Sequence, residues 1–401
     1  MKSVISVIEE RLEEPSSKAL AAAVSRAIRD GALIGGDRLP PIRQLAHELA
    51  LSPTTVSAAW TLLTRAGTIR TDGRRGTQVV DPSATREGRY RQALEQTAQF
   101  AVDLSSGVPD ARLLPPLTRA LDDLTTAGTP RSYLADPVLP ELRAALRTDW
   151  PYPAPALTVC DGAMDAIELV IRSRLSYGDR VLVEQPTFPP LLDLLEVAGV
   201  SVQGIELDEA GIRPDQLAEA LREPAQALFL QPRAQNPTGV ALTAQRVDEL
   251  AGLLAGRGVL VVEDDSANQI SVAADLSLGV HLPEETVHIR SYSKSHGPDL
   301  RLAAVSGPIE VIAAIEQVRQ LGQGWSSRLL QRVLVNLLAD PEAGAAVVSA
   351  RQVYAERRAA FCAVLASHGI ETGGSDGINV WVPVLDESAA LMRLAAAGIG
   401  V

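Results

Sequence analysis

Cysteine is scarce. The 401-residue chain has two, Cys160 and Cys362, far apart and without metal-ligand spacing. That excludes a disulfide framework, fits a reducing compartment, and leaves both thiols expected as buried small apolar side chains, with no metal site. Long apolar runs are missing too. Hydrophobic residues make up 46% of the chain, yet none of its runs approaches the roughly 18 apolar residues that a bilayer-spanning helix needs. The opening MKSVISVIEERLEE turns acidic where a secretory signal would carry its apolar segment and cleavage site. The expectation is a soluble, cytoplasmic protein without membrane contact.

Positive charge is also in deficit, with a net charge of -12, which taken alone counts against nucleic acid as a partner. Its distribution reverses that inference. Residues 1–80 hold 11 Lys and Arg against 8 Asp and Glu, which leaves 26 against 41 for the remainder. Four of the early acids cluster at Glu9, Glu10, Glu13 and Glu14, so residues 15–80 carry 9 basic against 4 acidic side chains. A small basic module is joined to a large acidic one.

The basic module reads from its periodicity. KALAAAVSRAIRD (18–30) has apolar residues at helical spacing and stops at Gly31; IRQLAHELA (42–50) and TVSAAWTLLTRAG (55–67) follow as short helices around the turn LSPT. Two short helices joined by a tight turn form a helix-turn-helix, whose second helix enters the major groove. TIRTDGRRGTQVV then reads as two short strands with Arg74 and Arg75 at a glycine-rich tip. Gly73 and Gly76 allow close backbone approach to a phosphate or a minor groove. In this order the elements resemble the winged helix-turn-helix of the GntR family, on GDRLPPIRQLAHELALSPTTVSAAWTLLTRAGTI followed by DGRRGT. The resemblance implies binding to double-stranded operator DNA, with Arg43, Ser52, Thr54 and Thr55 at the contact positions and Gly73, Arg74 and Arg75 at the wing. Pro53 stands where several members carry a base-reading arginine; it suits the first turn of a helix but cannot hydrogen-bond a base edge.

Residues 81–100 are polar and charged without a strand pattern and read as a linker between domains 1–80 and 101–401. Beyond it, apolar runs at LTV (157), RVLVE (180), VQGIEL (202), ALFLQ (227), VLVVED (260), VHIRS (287) and LAAVS (302) alternate with helical stretches. That alternation predicts an α/β domain with a mostly parallel sheet and ligands at the carboxyl ends of its strands. Four features fall there. Asp161-Gly162-Ala163 lies between a strand and a helix, where backbone N–H groups make a phosphate cup. QNPTG (235–239) is a turn by composition. Glu263, Asp264 and Asp265 end an apolar strand, a placement more often a solvated edge or a helix cap. SYSKSHGPDLR (291–301) sets Lys294 among hydroxyls, seven residues before Arg301.

Taken in order, these motifs resemble the fold-type I pyridoxal 5'-phosphate (PLP) enzymes of the class I aminotransferase kind, and with the N-terminal module the combination is identified as the GntR/MocR type of transcriptional regulator. The implied fold is multidomain: a winged helix-turn-helix followed by an aminotransferase-like effector domain. PLP needs an amine for a Schiff base, and Lys294 is that candidate. The resemblance further implies Asp264 facing the pyridine nitrogen, Asn236 at the ring oxygen and Phe188 stacked on the ring. Gly162, Ala163, Ser291, Ser293 and Arg301 would hold the phosphate, and Tyr133 would reach it in the neighbouring subunit of a homodimer. PLP then acts as effector rather than as the cofactor of a reaction. Three departures stand out. Ser266 replaces a tyrosine common in such regulators, Asp161 opens the phosphate cup in place of a serine or threonine, and the chain stops at GIGV, before the arginine that grips a substrate carboxylate. The C-terminal part is therefore expected to be incomplete. The alternatives are a working PLP-dependent aminotransferase with an appended DNA-binding module, counted against by that missing arginine and Ser266, and a regulator that has lost PLP, kept open by Asp161.

The DNA reading is testable directly. Arg43→Ala or Arg74→Ala should weaken operator binding and flatten the log–log salt dependence by about one unit of slope for each phosphate that is no longer neutralised. Wild-type affinity in both variants would mean that these positions do not touch DNA.

Overall fold

The computed structural model describes residues 3–65, 69–72, 76–79, 101–122, 124, 132 and 135–401. These divide into two compact units, one holding the N-terminal residues to 79 with 176–179 and 192–201, the other holding the rest. The N-terminal unit runs α1 (Val4–Glu9), α2 (Ser17–Arg29), α3 (Ile42–Glu48), α4 (Pro53–Arg65), β1 (Ile69–Asp72) and β2 (Gly76–Val79). The helices form because their apolar residues repeat on one face: Leu20, Ala23, Val24 and Ala27 of α2, and Val56, Ala59, Trp60 and Leu63 of α4, are all buried in one core. Ser16 caps α2 by accepting the Ala19 amide at 3.1 Å. Pro53 is the first residue of α4. β1 and β2 pair antiparallel with Ile69 opposite Val79 and Asp72 opposite Gly76. Residues before α3 extend this ribbon, since the Val79 amide donates to Asp37 O at 2.8 Å and the Leu39 amide to Thr77 O at 2.9 Å. The expected winged helix-turn-helix is present; the wing tip, with Gly73, Arg74 and Arg75, lies outside the described residues, as does the linker 81–100.

After residue 100 the order is β3 (Val102–Asp103), α5 (Thr118–Asp122), α6 (Pro140–Thr148), β4 (Ala156–Cys160), α7 (Ala163–Arg174), β5 (Arg180–Gln185), α8 (Pro189–Ala198), β6 (Ser201–Asp208), β7 (Gly211–Ile212), α9 (Pro214–Ala220) and β8 (Ala227–Leu230). It continues through α10 (Ala244–Leu254), β9 (Leu260–Asp265), β10 (Thr286–Ser291), β11 (Ala303–Gly307), α11 (Ile309–Gln320), α12 (Arg328–Ala339), α13 (Pro341–Ser367), α14 (Glu387–Ala396) and β12 (Ile399–Gly400). Eight strands form one sheet in the order β4-β11-β10-β9-β8-β5-β6-β7. Its centre, β10-β9-β8-β5, is parallel. β11 runs antiparallel to both its neighbours.

Every residue of β8, β10 and β11 is buried; β8 accordingly reads as a continuous apolar run, whereas β10 alternates and buries His288 and Arg290 as well. One core joins Leu182, Leu228, Leu230 and Val261 of the sheet to Leu217 of α9 and Leu250 and Leu254 of α10. Another joins Leu157, Val159 and Ala304 to Leu142 and Leu146 of α6 and Leu334 of α12. Separately, Ile399 of β12 pairs with Val102 of β3. Cys160 is buried as expected, whereas Cys362 is only half-buried. Cys362 sits on α13 beside exposed Phe361 and Val364, so no apolar layer covers that stretch of the helix among the described residues.

Candidate functional site

Parallel pairing of β9 with β10 sets Ile289 opposite Asp264 and Arg290 opposite Asp265. The three acids that end β9 therefore stand inside the sheet, and all three are buried. They do not form the solvated edge that such clusters more often make. Strand alternation separates them. Asp265 accepts both Nε (2.9 Å) and Nη2 (2.7 Å) of Arg233, with Arg290 Nε 3.7 Å away. Glu263 accepts Ser277 Oγ at 2.6 Å and the Leu278 amide at 2.7 Å, and lies 2.7 Å from His288 Nδ1. Asp265 stays below the usual carboxylate range: burial opposes its charge, but the Arg233 hydrogen bonds and charge outweigh it.

Asp264 has different company. Gln231 Nε2 donates to its Oδ2 at 2.8 Å and Ser266 Oγ to its Oδ1 at 2.6 Å. Burial raises its pKa, against these two hydrogen bonds and the charge of Lys294. Lys294 follows β10 and is half-buried. Burial lowers the pKa of its ammonium, while the Asp264 carboxylate opposes the shift. An amine with a depressed pKa beside a buried carboxylate can act as a nucleophile. Ser266, which replaces the tyrosine, bonds the Asp264 carboxylate.

Gln231 escaped the reading of the sequence. Its Oε1 accepts the Asn236 amide at 2.6 Å while its Nε2 holds Asp264, so one side chain fixes the QNPTG turn against the carboxylate. Its position at the carboxyl end of ALFLQ was the available signal. Phe188, Glu184, Gln231 and Asp264 line one small cavity of about 10 Å³, room for about one water molecule.

A second cluster forms around Gly162. At φ 108° this residue caps α7 in a conformation that side chains disfavour. A Cβ there would come within 2.9 Å of Arg301 Nη2. The same nitrogen donates to Asp161 O at 2.9 Å, so the guanidinium lies across the first turn of α7, where the amides of Ala163 and its neighbours lack helical acceptors. Ser291 ends β10, and its Oγ accepts the Ser293 amide at 3.3 Å. The structure thus brings together Asp264 with Lys294, Asn236 (through Gln231) and Phe188, and Gly162 with Arg301; Tyr133 lies outside the described residues.

In the N-terminal unit, Ser52 Oγ accepts the Thr55 amide at 3.0 Å and lies 2.7 Å from the hydroxyls of both Thr54 and Thr55. This is an N-cap, and it gathers three hydroxyls at the start of α4. Ser52, Thr54 and Arg43 are exposed and Thr55 is half-buried.

Residues 101–397 match the family model of aminotransferase class I and II, and residues 16–79 match that of bacterial regulatory proteins of the gntR family. The chain is 36% identical to the vitamin B6 salvage pathway transcriptional repressor PtsJ of Salmonella typhimurium, over 92% of this chain and 85% of that protein. It is 25% identical to the HTH-type transcriptional regulator TauR of Rhodobacter capsulatus, over 95% and 87% of the two chains. Among solved structures, aspartate aminotransferase from Thermus thermophilus superposes with a TM-score of 0.70 at 24% identity, covering 77% of this chain and 86% of that one.

Glu184 provides a test of the site's electrostatics. It accepts the Gln231 amide at 3.1 Å and Gln235 Nε2 at 3.2 Å, and burial pushes its carboxyl from 4.5 up to about 8. The raised value means that its contribution to stability is complete below pH 4.5 and is lost as pH rises through about 8. Across that window, Glu184→Gln should remove a decline of up to about 1.4 kcal/mol per pH unit. Denaturant unfolding of both proteins at several pH values checks this; parallel curves would show that Glu184 ionises freely in the folded protein.

Proposed function

The chain belongs to the GntR/MocR-type regulators, in which a gntR-family winged helix-turn-helix precedes a class I and II aminotransferase domain, and from that premise we propose that it is a transcription factor whose affinity for its operator responds to PLP. The observation that carries the reading is the half-buried Lys294 placed within electrostatic range of buried Asp264 at one end of the sheet, in a chain that also carries a DNA-binding module. The residues present suit the cofactor: a half-buried amine, a buried carboxylate, and an anion cradle under Arg301 that a Cβ at Gly162 would fill. When bound, PLP supplies an electrophilic aldehyde and an electron-withdrawing ring.

In this proposal Lys294 provides the amine that holds the cofactor. Asp264 keeps a proton on the pyridine nitrogen, with Gln231 and Ser266 fixing the carboxylate's orientation. Asn236 bonds the ring oxygen and Phe188 packs on the ring face. Gly162, Ala163, Ser291, Ser293 and Arg301 grip the phosphate, joined by Tyr133 of the partner subunit in a homodimer. On DNA, α4 enters the major groove, with Ser52, Thr54, Thr55 and Arg43 on the backbone or base edges and Gly73, Arg74 and Arg75 at the wing. The protein acts in the cytoplasm, where operator and cofactor meet. The name of the Salmonella relative, a repressor of vitamin B6 salvage, supports a B6 compound as the signal.

Two measurements test this reading. Adding PLP should produce an absorbance band in the region of about 400 nm that is missing in Lys294→Ala; an unchanged band in the variant removes Lys294 from its role. Saturating PLP should shift operator affinity by a factor of about 5 to 150, and Asp264→Ala should shrink that shift without altering the cofactor-free affinity. Equal operator affinities with and without PLP in the wild type would overturn the sensor.

A further inference from the structure

Asp161 opens the anion cup with a carboxylate, and Asp165 adds a second in the first turn of α7. Both are ill placed for a phosphate site. The Asp161 backbone serves the cup, since its carbonyl holds Arg301 Nη2. Its side chain is engaged elsewhere: Asp161 Oδ2 accepts Nη2 of Arg319 at 3.1 Å. Arg319, from the last turn of α11, is 3% exposed. Its Nη1 donates to Asp165 Oδ2 at 3.3 Å and to Val159 O at 3.2 Å, and its Nη2 also donates to Ser326 Oγ at 3.1 Å. Asp165 Oδ2 in turn accepts the Asp161 amide at 2.8 Å.

We propose that Arg319 is a positioning residue of the phosphate cup, which binds the carboxylates of Asp161 and Asp165 through one buried guanidinium and cancels the charge they would present to the anion. The proposal rests on the reading of this cup as the phosphate end of a PLP site. One fork serves two carboxylates that flank a helix N-terminus, and the same two nitrogens also donate to Val159 O near the end of β4 and to Ser326 Oγ, so its place is fixed from three sides although its Nε has no partner among the described residues. With Arg301 and Arg319 the two acids are balanced; with Arg301 alone the cup carries one net negative charge against a dianion. Arg319 thus explains how a chain with aspartate in the position of a serine or threonine retains an anion site. It acts through the two acids, without touching the ligand.

Pyridoxal, which has the aldehyde and ring but not the phosphate, separates this role from a merely structural one. In the full-length protein, Arg319→Gln should weaken PLP binding by a factor of about 10 to 100, the effect of one uncompensated charge at close range, and leave the affinity for pyridoxal near wild type. Asp161→Asn in the Arg319→Gln background should restore most of the loss. Asp161→Asn alone, which leaves Arg319 with charge to spare, should tighten PLP binding but not pyridoxal binding, and it provides the test should Arg319→Gln fail to fold. Equal weakening of PLP and pyridoxal in Arg319→Gln, or unchanged PLP affinity in both single variants, would overturn the assignment while the Lys294 absorbance band stands. A wild type that binds neither compound would instead overturn the cofactor reading beneath it.

Discussion

Three consecutive carboxylates end β9, and each is buried; taking an isolated ion out of water costs several kcal/mol even after relaxation. The sheet tolerates them because a strand turns alternate side chains to opposite faces. Glu263 and Asp265 are turned toward His288, Arg233 and Arg290, where hydrogen bonds and counter-charge satisfy them. Asp264 is left to the other set of partners, Gln231, Ser266 and Lys294. A one-residue change of register in β9 would send Asp264 among the arginines and turn Glu263 or Asp265, without their counter-charges, toward Gln231 and Lys294. The oriented carboxylate and its link through Gln231 to the QNPTG turn follow from that alternation, whereas the lysine's depressed pKa comes from burial.

The start of α7 obeys a similar balance of charge. Gly162 gives room for the Arg301 guanidinium across the first turn of α7, and Arg301 itself adopts a left-handed φ of 48° to reach it. Non-glycine residues accept such a conformation when surrounding structure holds them there. The Asp161 carbonyl provides part of that hold, while the Asp161 carboxylate is occupied by Arg319. One residue thus orders an exposed arginine with its backbone and a buried arginine with its side chain.

The N-terminal unit rests on apolar packing instead. Its basic surface charge and exposed hydroxyls need a firm platform, and the core of Leu20, Val24, Val56, Trp60 and Leu63 supplies it. Ser52 both stops the fraying of α4 and gathers Thr54 and Thr55, so the residues with the strongest claim to DNA contact are organised before any DNA arrives. Such pre-ordering lowers the entropy lost on binding.

Helix and strand placement was legible in the chain because periodicity is local: the 3.6-residue spacing of α2 and α4 and the apolar runs at β8 and at the start of β9 report burial directly. Lys294, Asp264, Gly162 and Arg301 could be singled out for the same reason, each standing in a short motif at a strand end. The partners of those residues were not legible. Gln231 meets Asp264 from 33 positions away and Arg319 meets Asp161 from 158, and neither lies in a motif of its own. Whether Asp161 would spoil an anion site, and whether three adjacent acids would be solvated or buried, depended on which charges the folded chain carried to them. Sequence determined the elements and the chemically active groups, because those are properties of a residue and its near neighbours. Only the tertiary structure decided their ionisation and orientation, because electrostatic energy in a buried site depends on distances between segments that the chain order does not record.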